Sequence, residues 1–263
     1  MYFAGCDVGS LTAEAVIMED NEILGYEIIR VRPRPEQSAT DVMNKTLQKL
    51  DLEMANIDYC VSTGYGRERI PFAKKNISEI SCHGKGAQWL IPSIRTVIDV
   101  GGQDCKVINV DENGKVLNFI MNEKCAAGTG RFLEIMARTL GVTIDELGPI
   151  SLKSNNPVVI TSQCSVFTEF ETRVLLNEGK KIEDIAAGIN KAMARRVYSL
   201  ANRLNIVEDL GITGGVAKNV AVVKNLEEIT GIQSKDFPED PQIMGALGAA
   251  LYARNKYLKQ KDR

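Results

Sequence analysis

Two of the six cysteines stand where a thiol can do chemistry. Cys125 lies in Asn122-Glu123-Lys124-Cys125-Ala126-Ala127-Gly128-Thr129-Gly130-Arg131-Phe132, and Cys164 in Ile160-Thr161-Ser162-Gln163-Cys164-Ser165-Val166-Phe167. Each comes just before a helical pattern. A thiolate at a helix start is stabilised by the positive end of the helix dipole and by free backbone N–H groups. The same groups can donate hydrogen bonds to an anionic cluster. A four-iron cluster takes about four thiolates. Two copies of the chain related by a two-fold axis, each giving Cys125 and Cys164, would supply them. The alternative is that Cys125 is a core residue. Cys6, Cys60 and Cys105 sit in apolar segments and read as small hydrophobes. Cys82-His83 is too small a ligand set for a closed zinc site; it reads as structural, with partner contact as the other option.

A second chemistry is suggested by glycine turns. Asp7-Val8-Gly9-Ser10 ends a short apolar strand and leads into strands at Thr12–Met18 and near Ile23–Arg30, joined by Glu19-Asp20-Asn21. The unit returns where Thr96-Val97-Ile98 runs into Asp99-Val100-Gly101-Gly102-Gln103-Asp104. Strands at Cys105–Val110 and Val116–Met121 follow, joined by Asp111-Glu112-Asn113-Gly114, whose Asn-Gly is a hairpin signal because both residues accept positive φ. A glycine turn after a strand lets backbone N–H groups approach a phosphate, and an aspartate beside it can hold Mg²⁺ through waters. Two such turns facing each other would clamp a triphosphate. A third glycine pair, Gly214-Gly215, follows a predicted strand at Glu208–Thr213 and could lie flat under an adenosine. One D-x-G turn is a common accident; three motifs in order, each after a strand, are far more specific.

Helices must position these groups. Helical spacing predicts them over Ala39–Leu52, Thr129–Leu140, Ser165–Leu176, Ile182–Leu204, Val216 to about Glu228, and Gly245–Leu258. The segments around Pro33–Pro35 and Pro149–Pro157 read as loops, and the basic tail Lys256–Arg263 as a solvated helix end. Strands alternating with helices imply a mixed α/β sheet. The repeat implies two similar lobes, about 1–95 with the C-terminal helix 245–263, and about 96–244 carrying both candidate ligands. At 263 residues, 25% charged, with a net charge of -2, the chain has an ordinary surface, which argues against nucleic acid as main partner. No apolar run approaches the roughly 20 residues that cross a bilayer. The start turns polar at Asp7, so no leader is expected. Cysteines without CxxC spacing fit a reducing cytoplasm better than a disulfide framework.

These segments together resemble the actin/Hsp70/sugar-kinase ATPase superfamily. Within it, the chain resembles the activator component of 2-hydroxyacyl-CoA dehydratases and the ATPase subunits of benzoyl-CoA reductase. Beside the turns and cysteine segments, Thr63-Gly64-Tyr65-Gly66-Arg67, Ile80-Ser81-Cys82-His83, Thr213-Gly214-Gly215-Val216 and Gly245-Ala246-Leu247-Gly248-Ala249-Ala250 carry the likeness over nearly the whole chain. The resemblance implies an α/β, actin/Hsp70/hexokinase-like ATPase fold and a homodimer holding one [4Fe-4S] cluster through Cys125 and Cys164 of each chain. It implies Asp7 as the Mg²⁺-associated aspartate, acting through water, with Gln103 and Asp104 as the other catalytic residues. It places ATP or ADP on Gly9, Ser10, Leu11, Thr12, Asp99, Gly101, Gly102, Gly128, Thr129, Gly130, Gly214, Gly215 and Gln242. Leu11 stands where the family usually has Thr, Phe170 where a small polar residue is typical, and Arg30–Gln37 is Arg- and Pro-rich rather than Gly/Thr-rich.

The activity implied is ATP hydrolysis that drives one low-potential electron into a partner iron–sulfur protein, either dehydratase-like or of the double-cubane kind. Ferredoxin or flavodoxin would charge the cluster. ATP would change the angle between lobes, and so between the cluster helices. Two other readings compete. One is a small-molecule kinase of the same superfamily, which leaves both helix-start cysteines unexplained. The other is a non-catalytic ATP-sensing interaction protein with structural cysteines.

Overall fold

Short apolar segments separated by polar turns form two sheets, and helices with one apolar face cover them. The computed structural model describes residues 1–123 and 125–261. Lys124, the flank of Cys125 in the sequence, and the last two residues of the basic tail lie outside the described residues. The chain divides into two compact units. The first comprises Met1–Val97, Ile108–Asn118 and residues 236–261; the second comprises Ile98–Val107 and Phe119–Lys235.

In the first unit, β1 (Tyr2–Val8), β2 (Thr12–Glu19), β3 (Glu22–Arg30), β4 (Ile57–Thr63) and β5 (Lys75–Asn76) form a sheet of order β3-β2-β1-β4-β5. β1 pairs antiparallel with β2 and parallel with β4, which makes β1 a central strand. Its interior residues are all buried. The helices are α1 (Pro35–Lys49), α2 (Glu79–Leu90) and α8 (Met244–Lys261). Small residues on α8 let it approach closely: a Cβ at Gly248 would run into the Cys82 backbone of α2, and one at Gly5 into the Ala246 carbonyl. Ala246, Leu247, Ala249 and Ala250 are fully buried.

In the second unit lie α3 (Gly130–Leu140), α4 (Ile144–Ser151), α5 (Ser165–Asn177), α6 (Ile182–Ala201), β9 (Leu210–Thr213) and α7 (Val220–Thr230). The second sheet is built from β6 (Thr96–Val100), β7 (Cys105–Val110), β8 (Val116–Asn122) and β9, in the order β8-β7-β6-β9. Third, second, first, fourth is the same sequence of strands as in the first sheet. α3 buries Phe132, Leu133, Met136, Ala137 and Leu140, a helical stripe, and stops at Gly141 with φ 73°. Each of its large buried side chains contributes about 1.5–3 kcal/mol of burial.

Three local expectations differ from what forms. In the β7–β8 turn only Gly114 takes positive φ, 72°. The Asp111 carboxylate accepts the N–H groups of Asn113 and Lys115 (2.9 and 2.8 Å), so a side-chain acceptor organises the turn instead of a left-handed Asn. Pro149 lies inside α4 rather than in a loop, because Thr143 and Glu146 form a reciprocal capping box that starts a helix there. The helix expected from Val216 is split: Gly215–Lys218 is a 3-10 turn, and the Asn219 side chain accepts from Ala221 and Val222 to start α7.

Candidate functional site

The first turn is set by β1. Gly9 N–H donates to the Thr12 carbonyl at 2.9 Å and folds the chain back into β2. Asp7, 7% exposed, stands directly across from Glu14 in the β1–β2 register. Its carboxylate is enclosed by glycines. A Cβ at Gly64, which has φ +83°, or at Gly245 would strike one or other carboxylate oxygen. Those two positions exclude side chains so that the aspartate can occupy its place. His83 of α2 lies beside it, Nε2 to Oδ2 3.7 Å. Gln242 donates to Thr12 Oγ1 at 2.9 Å and to Glu14 Oε1 at 3.1 Å, bringing two of the expected nucleotide residues together. Ser10 and Leu11 are half-buried beside them.

The second turn is closed in the same way, Gly101 N–H to the Asp104 carbonyl at 3.0 Å. Lys106 bridges Asp99 (3.2 Å) and Asp104 (2.7 Å), all three nearly fully buried. Thr213 Oγ1 donates to Asp99 Oδ1 at 2.9 Å. Gly214, at φ +83°, backs onto Val100, where any Cβ would meet the carbonyl. Gly215 follows at the start of its 3-10 turn, and Gln103 is exposed at the tip of the second turn.

This turn is joined to the first cysteine segment. The leading N–H groups of α3 donate to it: Gly130 to the Gly101 carbonyl at 2.8 Å and Arg131 to the Gly102 carbonyl at 2.9 Å. Thr129 turns back through Oγ1 to the Ala126 carbonyl at 2.6 Å, with Gly128 at φ +89° between them. Asn122 Nδ2, at the end of β8, donates to the Cys125 carbonyl at 3.0 Å. The glycine turn is therefore joined to the start of α3, and α3 through the short turn Ala126–Thr129 to Cys125.

Cys164 is the N-cap of α5. Its carbonyl accepts from the Thr168 N–H (2.8 Å) and Oγ1 (3.0 Å). Glu171 reaches back along α5 and accepts from Thr161 N–H, Thr161 Oγ1 and Ser162 N–H at 2.8–2.9 Å. Burial alone would raise the Glu171 pKa; these donors outweigh it and bring the carboxyl below its usual range. From α6, Arg196 Nη2 donates to the Ser162 carbonyl at 2.6 Å, and its guanidinium lies over Phe132, 4.6 Å from the ring centre.

Cys125 and Cys164 are exposed, whereas Cys6, Cys60, Cys82 and Cys105 are buried. Burial pushes the thiols of Cys60 and Cys82 up to about 12, and those of Cys6 and Cys105 well up too. Those four are poor thiolates. Around Cys164 the surface is apolar: Val166 is 71%, Phe167 67% and Phe170 68% exposed. Among the described residues no three His, Cys, Asp or Glu side chains form a metal-holding group, and no helix is long and apolar enough to cross a membrane. Sequence reasoning missed His83 as a neighbour of Asp7, Lys106 as the cation of the second turn, and Glu171 and Arg196 as the braces of the Cys164 loop.

Residues 4–253 match the BadF/BadG/BcrA/BcrD ATPase family. The chain is 45% identical over 254 residues to the 2-hydroxyisocaproyl-CoA dehydratase activator of Clostridioides difficile, covering 96% of this chain and 95% of that protein. The solved structure of a 2-hydroxyisocaproyl-CoA dehydratase activator from Clostridium difficile, with bound ADPNP, superposes with a TM-score of 0.95 at 43% identity, covering 100% of this chain and 97% of the other. Component A of (R)-2-hydroxyglutaryl-CoA dehydratase from Acidaminococcus fermentans gives 0.94 at 43% identity, covering 98% and 99%. A ROK family glucokinase from Streptomyces griseus, at 13% identity and a TM-score of 0.56 over 97% of this chain and all of the other, shares the fold alone. The architecture is therefore the actin/Hsp70/sugar-kinase ATPase fold.

Proposed function

The chain belongs to the BadF/BadG/BcrA/BcrD ATPase family, and we propose that it is an ATP-driven, one-electron donor to a partner iron–sulfur protein. The observation that carries this reading is the pair of hydrogen bonds from Gly130 and Arg131 to the Gly101 and Gly102 carbonyls. They tie a phosphate-type turn to the segment that bears an exposed cysteine.

The donor set suits a [4Fe-4S] cluster shared by two copies of the chain. Cys125 and Cys164 are the exposed thiols, and each is held on a braced loop. Among the described residues, a buried guanidinium nitrogen in that neighbourhood, Arg196 Nη1, has no hydrogen-bond partner. The apolar surface of Val166, Phe167 and Phe170 beside Cys164 suits burial under a second copy. When bound, such a cluster supplies low-potential one-electron chemistry. Lowering a one-electron potential by about 0.2 V costs roughly 5 kcal/mol, which the difference between nucleotide states must provide.

Within this reading the phosphates of ATP or ADP engage Gly9, Ser10, Leu11 and Thr12 in one turn, and Gly101 and Gly102 in the other. Asp7 holds Mg²⁺ through water, and Gln103 orients the attacking water. The resemblance gives Asp104 a catalytic role and Asp99 a nucleotide role; because Lys106 fixes both, we assign them instead to shaping the second turn. Gly214, Gly215 and Gln242 serve the nucleoside, and Gly128, Thr129 and Gly130 relay the nucleotide state. The partner is a 2-hydroxyacyl-CoA dehydratase or a double-cubane protein, the electron source ferredoxin or flavodoxin, and the setting a reducing cytoplasm.

Anaerobic reconstitution tests this. Iron near four per dimer, lost in Cys125→Ala and in Cys164→Ala while ATP binding persists, is the expected result. Iron near eight per dimer, none at all, or loss on Cys82→Ala contradicts it.

A further inference from the structure

Arg196 joins the two cysteine segments of one chain. Its Nη2 is fixed on the Ser162 carbonyl, two residues before Cys164. Its guanidinium plane rests on Phe132 of α3, the helix that follows Cys125. Its Cβ lies against Gly128, where an added Cβ would come within 3.3 Å. A guanidinium is a rigid, planar fork that stays charged at any working pH. With one arm bonded and the face stacked, the direction of the other arm is set.

That other arm, Nη1, is buried and has no hydrogen-bond partner among the described residues. A buried charged donor left unsatisfied is costly and marks the place of an acceptor. Burial acts most on this guanidinium, and the ionisable side chains that act against it are those of Cys125, Cys164 and Glu171. Glu171 already accepts from Thr161 and Ser162. Of these side chains, the acceptors left are the sulfurs of Cys125 and Cys164 and whatever they bind.

We propose that Arg196 is a fixed cation that donates through Nη1 to the sulfur shell of the cluster held by Cys125 and Cys164, and so raises its reduction potential. The inference rests on the shared-cluster reading above. The physical basis is direct. Reduction adds one negative charge to the cluster, and a nearby cation with a hydrogen bond stabilises the reduced form more than the oxidised one. A cluster held at a higher potential in the resting state is easily charged by its reductant, and nucleotide then has a defined interaction to weaken.

The test compares wild type, Arg196→Lys and Arg196→Met after anaerobic reconstitution, without nucleotide. Iron per dimer is measured, and the midpoint potential is followed by EPR during dithionite titration. Arg196→Met keeps the length of the side chain and removes both charge and donors. Expected is a more negative midpoint in Arg196→Met, at least tenfold in the reduction equilibrium or about 59 mV for one electron, with Arg196→Lys between. Cluster loss in Arg196→Met with retention in Arg196→Lys also supports the proposal, since a cation is then required for holding the cluster. Equal midpoints in all three proteins overturn it, including the case in which Arg196→Met merely lowers Tm as a stacking residue would. Loss of iron from both variants overturns it too. A wild type that takes up no cluster defeats the shared-cluster reading itself, an outcome distinct from equal midpoints in three loaded proteins.

Discussion

The two glycine turns share a backbone and differ in charge. In each, a glycine N–H closes onto the carbonyl three residues ahead, Gly9 onto Thr12 and Gly101 onto Asp104, at 2.9 and 3.0 Å. In each, an aspartate is the last-but-one residue of the strand before the turn. The returning strand carries the difference. Glu14 stands across from Asp7 in the first unit. At the corresponding place in the second unit, Lys106 bridges Asp99 and Asp104. Two carboxylates on one face of a sheet suit a hydrated divalent cation. A carboxylate pair closed by an ammonium fixes a backbone instead. Under the proposed function, the first turn serves the ion, and the second holds shape and passes it on to α3.

The largest effect should come from breaking the second turn's ion pair. Lys106→Ala removes the ammonium between two buried carboxylates and should cost about 3–5 kcal/mol in urea unfolding of the nucleotide-free protein. Glu14→Gln keeps an oxygen for Gln242 and should cost far less. Equal losses would erase the contrast. Next come the aspartates. Asp7→Asn should lower Mg-ATPase turnover by about 10²-fold or more, on the scale of removing one preorganised electrostatic contact. Asp99→Asn should act mainly on stability. A larger turnover defect at Asp99 would reverse the assignment of roles.

Smaller changes probe the link to α3. A Cβ at Gly130 would sit 3.1 Å from the Gly101 carbonyl. Gly130→Ala should therefore leave hydrolysis within a few-fold while weakening the influence of ATP on the cluster. Full influence in this variant would remove Gly130 from the path. The smallest effect is pH-dependent. The folded pKa of Glu171 lies below its ordinary 4.5, so its contribution to the Cys164 loop is complete above about pH 4.5. That contribution is lost as pH falls through the lowered folded value. The Tm difference between apo wild type and Glu171→Gln should be present at pH 7 and close in acid. A constant difference across that range would mean that the Glu171 charge does not brace the loop.

Much of this was legible where the signal is local. D-x-G after a strand, cysteine before a helix and glycine after one each announce themselves within a few residues, and both turns and both exposed thiols stand where the sequence puts them. The partners that give these groups their character come from elsewhere in the chain. His83 reaches Asp7 from α2, and α2 itself is obscured by Gly84 and Gly86. A Cβ at Gly86 would run into the Met244 carbonyl of α8, and one at Gly84 would crowd Val110. Close packing thus removed the residues that make a helix recognisable. Arg196 and Glu171 reach the cysteine loops from the faces of long helices, where charged residues ordinarily meet solvent. Lys106 lies in plain sight in β7, yet a buried lysine becomes intelligible only once Asp99 and Asp104 are seen around it. Pro149 shows the reverse: a strong local breaker was overruled by an equally local capping box.

The central claim is that nucleotide state reaches the cysteines through Gly101, Gly102 and the start of α3. It is tested most directly by the rate at which bathophenanthroline removes iron from the reconstituted protein, under anaerobic conditions, with ATP, ADP or no nucleotide. The account predicts fastest bleaching with ATP and a smaller acceleration with ADP, which lacks the γ-phosphate. Equal rates in all three conditions would contradict it.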